Sequence, residues 1–318
     1  MTPAGSDHFN GKTYFNPGHR ADRGLLDVLR WQLTSRRTRW PAWVEITPQS
    51  PPAAPHDERV SATWINHATY LLQTAQGNLL TDPIFSERCS PVSWAGPRRV
   101  HAPGVAFDAL PKIDTVLVSH DHYDHCDLPT LSRLARLHQP LFVTPLGHRA
   151  LLEEIGATRI IELDWWQSHS LGKDFSVTLT PTQHWSRRRP GSTNRRLWGG
   201  FYAHTAARRL WFLGDSGYDG ALFREIGQRC GAPDLALIPI GAYEPRWFMS
   251  SAHMNPEEAV RAHLDSGARL SLAMHWGAFQ LTDEGRDEPV LALGRARADL
   301  GLAANEFRVP APGETVII

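Results

Sequence analysis

The stretch SHDHYDHCD, residues 119–127, decides how this chain is read. Three histidines and three aspartates fall within nine residues, directly after the apolar run TVLVS at 115–119. Polar and ionisable side chains at the end of a buried strand cost free energy unless something takes them up. His120 and His122, two apart on an extended segment, point the same way. Asp124 and His125 then turn toward a neighbouring point, so one short loop can serve two adjacent cations. Imidazole and carboxylate suit Zn²⁺, which takes about four ligands at roughly 2.0–2.2 Å. Iron or manganese can occupy the same donors.

Working outward, other apolar runs end in the same way. VTLTPTQH ends on His184, LWFLGD on Asp215 and LSLAMH on His275. Strand ends along one edge of a sheet face a common crevice, where ligand sites form. The expected allotment is His120, His122 and His184 to a first ion, and Asp124, His125 and His275 to a second. Asp215 bridges both. Each ion is then short of a closed protein shell, which leaves room for a shared water. His67, His148, His169, His204 and His263 are read instead as hydrogen-bonded structural residues.

Composition sets the frame. The chain has 318 residues, 42% hydrophobic and 21% charged, as soluble globular proteins have. Acidic and basic residues balance at 33 each, and all but three of the basic ones are arginine. No global field or lysine patch points to a nucleic-acid groove. Three widely spaced cysteines, Cys89, Cys126 and Cys230, give no disulfide framework and fit a reducing compartment. The first residues lack the apolar core of a signal peptide, and no stretch approaches the ~20 apolar residues of a membrane span. The expected location is cytoplasmic, with peripheral membrane contact left open.

Residues 1–57 read as an N-terminal extension. Residues 20–37 have the pattern of an amphipathic helix, and the prolines that follow favour an extended path over the surface. Residues 58–318 read as one catalytic domain in which short strands alternate with helices, an α/β-type (α+β) fold. Helices are expected over 128–138 with Asp127 as N-cap, over 146–156 ending on Gly156, over 255–267 with Asn255 as cap, and over 287–301.

Seven stretches carry a more specific likeness. They are TDPIFSERCSPVSWAGPRR (81–99), LPKIDTVLVSHDHYDHCD (110–127), IIELDWW (160–166), TPTQHWSRR (180–188), FLGDSGY (212–218), LALIPIGAYEPRWFM (235–249) and HMNPEEAV (253–260). Together they resemble the metallo-β-lactamase superfamily, and within it N-acylphosphatidylethanolamine-hydrolysing phospholipase D and its bacterial relatives. The likeness runs from about residue 63 to residue 289. It implies an αββα four-layer sandwich with a binuclear zinc centre held by the seven residues above, and it suggests a homodimer. It also implies substrate contact by Tyr123 and His253, and leaves Asp121 outside the ligand set.

The expected reaction is attack by metal-activated hydroxide on phosphorus of an N-acylphosphatidylethanolamine-like phospholipid or other phosphodiester. It releases phosphatidic acid and an N-acylethanolamine, with Asp124, Asp215 and His253 as catalytic residues. His253 either protonates the leaving alkoxide or holds the phosphate. SRRRPGSTNRR (186–196) places five arginines near the site, to attract an anionic head group or simply to form a solvated loop. Trp247, Phe248 and Met249 precede His253, to bed an acyl chain or to pack in the core. The alternatives are a lactonase or other carbonyl hydrolase on the same fold, and a non-enzymatic lipid-binding module. The latter should have lost ligands, whereas all seven positions are filled.

Overall fold

Short apolar runs separated by tight turns build two mixed sheets in the computed structural model, which describes residues 6–19 and 23–318. The first sheet contains β1 (Ser61–Asn66), β2 (Thr69–Thr74), β3 (Gly77–Thr81), β4 (Thr115–Leu117), β5 (Leu141–Pro145) and β6 (Ile160–Leu163), with β14 (Thr315–Ile317) added beside β1. β1 to β3 form an antiparallel meander, and β3 to β6 run parallel. The second sheet contains β7 (Ser168–Gly172), β8 (Phe175–Thr180), β9 (Gly200–His204), β10 (Arg209–Phe212), β11 (Leu235–Pro239), β12 (Ser271–Met274) and β13 (Phe307–Arg308). Here β7 to β10 are antiparallel and β10 to β13 parallel.

The helices are α1 (Leu25–Thr34), α2 (Leu128–Leu137), α3 (Arg149–Glu153), α4 (Gly220–Cys230), α5 (Arg246–Met249), α6 (Pro256–Ser266) and α7 (Glu288–Asp299). Leu131, Leu134, Leu151 and Leu152 pack α2 and α3 onto Val116 and Phe142 of the first sheet. Phe223, Ile226, Val260 and Leu293 pack α4, α6 and α7 onto Trp211 and Ile238 of the second. Between the sheets lies a third core, in which Trp64, Tyr70 and Leu117 meet Val177, Phe201, Phe212 and Leu237. The layers are therefore αββα, as the likeness implied. Strands covered on both faces need apolar residues at consecutive positions, which is why β1, β2, β4, β11 and β12 are buried throughout.

Helix ends test the local signals. At α6, Asn255 accepts from the Glu258 N–H and Glu258 accepts from the Asn255 N–H, a reciprocal cap, and Gly267 ends the helix at φ +69°. At α2 the expectation needs correction. Asp127 stands at the N-cap position, but its carboxylate takes the hydroxyls of Thr130 and Ser86 and the Ser86 N–H. It pins the loop after β3 to the helix rather than capping backbone donors. The helix expected over 146–156 shortens to Arg149–Glu153.

The helix expected over 20–37 is α1, Leu25–Thr34; residues 20–22 lie outside the described residues. The chain then runs without regular structure to residue 60, tied down by the N–H groups of Val44 and Gln49, which donate to the carbonyls of Val100 and Gly104. Residues 6–19 fold back beside Asn194 and His184. Tyr14 enters the inter-sheet core, and the Asn16 amide donates to the His184 carbonyl at 2.7 Å.

Candidate metal centre

Every candidate ligand leaves the C-terminal end of a strand, on one edge of the two sheets. The loop after β4 carries His120 to His125, β8 leads to His184, β10 to Asp215 and β12 to His275. Parallel strands expose their C-terminal ends on one side, so residues 155 positions apart meet there.

The seven side chains form two groups. His120 Nε2 lies 2.8 Å from His122 Nδ1, and His184 Nε2 lies 3.3 Å from the same atom. In the second group His125 Nε2 is 3.2 Å from Asp124 Oδ2 and 3.1 Å from His275 Nε2, and His275 Nε2 is 3.3 Å from Asp124 Oδ2. Asp215 stands between them. Its Oδ2 is 3.1 Å from His125 Nε2, 3.2 Å from His275 Nε2 and 3.8 Å from His184 Nε2. Four ligands around a tetrahedral ion at about 2.0–2.1 Å lie roughly 3.3 Å from one another. The structure brings all seven together at that spacing.

The chemistry of the donors fits divalent cations. Asp215 Oδ1 is buried and has no hydrogen-bond partner among the described residues. Burial works to raise the pKa of Asp124 and Asp215, but the neighbouring histidines win and hold both well below the usual carboxylate range. Burial likewise opposes a proton on His275, yet the two carboxylates push its pKa up to about 9. A site that draws protons onto buried imidazoles in this way will accept a cation in their place. His120 and His184 are pushed well below their ordinary value, first by burial, so they stand as neutral lone-pair donors.

Outer residues set the tautomers. His184 Nδ1 donates to the Ala252 carbonyl at 3.0 Å. His120 Nδ1 lies 2.9 Å from the Ser119 hydroxyl, which donates to Asp82. His125 Nδ1 lies 2.6 Å from Asp82 Oδ2. Asp82 therefore anchors one ligand in each group, and its fully buried carboxylate leaves the inner nitrogens free for a cation. Asp82 was not among the expected site residues, although it follows the run NLLT as the ligands follow theirs. His67, read as structural, sits against the second group with its Nε2 3.0 Å from Asp124 Oδ2. Asp121 is not a ligand in this arrangement: it is buried and pairs with Arg196 at 2.9 Å.

His253 reaches the centre from the loop before α6, its Nδ1 3.9 Å from Asp215 Oδ2. Burial pushes its pKa down to about 4, so it is neutral near pH 7. Tyr123 packs under the Arg188 guanidinium and donates its hydroxyl to the Arg188 carbonyl at 2.8 Å. The five arginines divide. Arg188 donates inward to the carbonyls of Asp121 and Cys126, and Arg196 to Asp121, while Arg187, Arg189 and Arg195 are exposed.

Beside His253 opens a cavity of about 370 Å³, lined by Trp185, Phe248 and Met249, by Val28 of α1, and by the charged Arg23 and Arg187. Phe248 and Met249 thus line a cavity rather than the core. Larger clefts of about 770 and 590 Å³ lie around Trp166; none of the seven ligand residues lines either, although the smaller reaches Gln183, the neighbour of His184.

A family model described as a beta-lactamase superfamily domain matches residues 77–276. An uncharacterized protein of Mycobacterium tuberculosis is 40% identical over 306 residues, 93% of this chain and 79% of that one. N-acyl-phosphatidylethanolamine-hydrolyzing phospholipase D 1 of Caenorhabditis elegans is 39% identical over 229 residues, 69% of this chain and 64% of that protein. Among solved structures, a metallo hydrolase from the archaeon Ignicoccus hospitalis matches with a TM-score of 0.62 over 82% of this chain and 98% of its own, at 21% identity. That last likeness is one of fold.

Proposed function

The chain belongs to the beta-lactamase superfamily and has the architecture of its metal-dependent hydrolases; from that premise we propose that it is a binuclear phosphodiesterase of phospholipase D type. The proposed substrate is an N-acylphosphatidylethanolamine-like phospholipid. The observation that carries this reading is the juxtaposition of two ligand groups sharing Asp215 with a cavity at His253 whose walls combine Val28, Phe248 and Met249 with Arg23 and Arg187. The printed activity of the Caenorhabditis elegans relative supports the same substrate class.

The residues divide the work. His120, His122 and His184 would hold one ion, Asp124, His125 and His275 the other, with Asp215 between. Bound there, divalent cations supply Lewis acidity toward phosphoryl oxygens and acidify a water toward neutral pH. His253, neutral near pH 7, donates a hydrogen bond to a phosphate oxygen rather than a proton to the leaving group. Phe248, Met249 and Val28 exclude water and bed an acyl chain. Zinc is the metal these donors suit best.

α1 supports a place at a membrane surface. Leu26, Leu29 and Leu33 are 81%, 50% and 87% exposed and lie on one face of the helix, with Arg30, Arg36 and Arg37 nearby. No helix among the described residues is long and apolar enough to cross a membrane.

The deciding experiment is mass-spectrometric detection of phosphatidic acid after zinc-loaded protein meets N-acylphosphatidylethanolamine, with Asp215→Ala as control. Product that disappears in the control is the expected result. Protein that cleaves an activated diester but not the lipid retains the phosphodiesterase and loses the substrate; cleavage of lactones alone replaces both.

A further inference from the structure

We propose that His67 is a positioning residue of the second metal subsite, holding the Asp124 carboxylate in place to receive its ion. This rests on the reading that the seven residues above hold two cations. His67 lies in the turn between β1 and β2, fifty-seven residues before Asp124, and its side chain is buried. Its Nε2 is 3.0 Å from Asp124 Oδ2, the same oxygen that faces His125 and His275. Among the described residues it is the one hydrogen-bonding partner of Asp124 outside the expected ligand set. An ionised carboxylate only accepts, so Nε2 carries the proton and the ring is a donor. A carboxylate with a single-bonded side chain can swing about its χ angles; a donor on Oδ2 fixes the rotamer before the cation arrives.

The turn is built to keep the ring there. His67 has φ +48° and His275 has φ +60°, both in the left-handed region that a non-glycine residue adopts at a cost. The two are tied to each other. The His275 N–H donates to the His67 carbonyl at 3.0 Å, and the Trp64 indole N–H donates to the same carbonyl at 3.0 Å. The two imidazole rings lie against each other, centroids 4.0 Å apart and planes tilted by 43°. Glycine or asparagine would relieve this turn, yet neither carries an imidazole as far as Asp124. Ligand atoms of His67, Asp124, His125 and His275 all lie within 4.8 Å of one another. That spacing would also suit a ligand, so the test has to separate a ring that holds the carboxylate from one that holds the ion.

The test is zinc binding, read without substrate. Native mass spectrometry at buffered free zinc counts the ions, and cobalt substitution reports the geometry at each subsite. His67→Ala should lose the second ion, with about 10- to 100-fold weaker affinity, and keep the first. The retained first ion shows that the variant is folded. His67→Gln keeps an N–H donor and should recover most of the loss. Unchanged affinity in His67→Ala overturns the proposal. His67→Gln as weak as His67→Ala overturns the positioning role too, and makes the ring itself a ligand. Wild-type protein that binds fewer than two ions overturns the premise and this inference with it. Wild-type protein that binds both ions but cleaves no phosphodiester leaves the inference standing and sinks the proposed reaction.

Discussion

Replacing Asp283 by alanine should release α1 without unfolding the protein. Asp283 follows β12 and holds the end of α1 through its carboxylate. The Trp31 indole N–H donates to it at 3.1 Å, the Ser35 hydroxyl at 2.7 Å and the Arg36 N–H at 3.3 Å. Hydrogen bonds to a charged acceptor contribute about 1.5–3 kcal/mol each when sheltered. The Arg36 contact is long, and the half-exposed Arg37 guanidinium at 3.5 Å adds little. Counting Trp31 and Ser35 at the low end gives a loss of about 3 kcal/mol, roughly a hundredfold in the undocked population. What remains is the Trp31–Phe248 stack, the Arg30 guanidinium over Trp247 and the Arg23 hydrogen bonds to the Trp247 and Phe248 carbonyls. The stack and the cation–π contact are worth about 1 kcal/mol apiece. Hydrogen exchange over residues 25–34 should therefore quicken about a hundredfold, while β4 and β12 keep their protection. Because Val28 walls the cavity, KM for a long-chain lipid should rise while turnover of a small activated diester holds. Unaltered exchange in α1, or equal acceleration throughout the chain, would refute the clamp.

Further outcomes follow from other buried contacts. Asp82→Asn should weaken both ions by about 10- to 100-fold, because Asp82 orients His120 through Ser119 and His125 directly; competition with a zinc chelator reads this, and loss of only one ion would contradict the shared anchor. Arg196→Met leaves the buried Asp121 carboxylate without its cation and should cost about 3 kcal/mol, roughly 4–5 °C in Tm; an unchanged melting curve would show that water replaces the guanidinium. For His8, burial lowers the pKa, but hydrogen bonds that its ring donates to the carboxylates of Asp164 at 2.8 Å and Asp7 at 2.9 Å outweigh this, and the net shift is upward. A raised folded value means the stabilisation is full below the unfolded pKa of about 6.5 and is lost as pH rises through the folded value. Exchange of residues 6–19, corrected for its intrinsic pH dependence, should be faster near pH 9 than near pH 6, and Asp164→Asn should flatten the difference.

Much of the site was legible in one dimension. HDHYDH at 120–125 declares a cation site because packing has no use for so many ionisable groups at a strand end. His184, Asp215 and His275 share one local signature, an apolar run ending in a ligand-type side chain, and parallel strands turn that signature into proximity. The cap at Asn255 was equally plain, since a reciprocal cap is complete within four residues.

The rest depended on contacts that no local pattern encodes. Whether Arg188 and Arg196 face solvent or turn inward is decided by carbonyls and a carboxylate about 60 to 75 positions away. Asp127 looked like a cap, and the fold gave its carboxylate to Ser86 from another segment. His67 carries no signal of its own, since a histidine in a hairpin turn is ordinary, and Asp82, which does end an apolar run, shows nothing in sequence that marks it as an anchor rather than a ligand. They matter because the β1–β2 turn and the end of β3 arrive beside His275 and His125. Which side chains could hold metal, and that strand ends would gather them, follows from residue chemistry and strand periodicity. Which neighbours orient those ligands, and that α1 walls the cavity beside them, depends on packing, because hydrogen bonds across such sequence distances exist only once the sheets have come together.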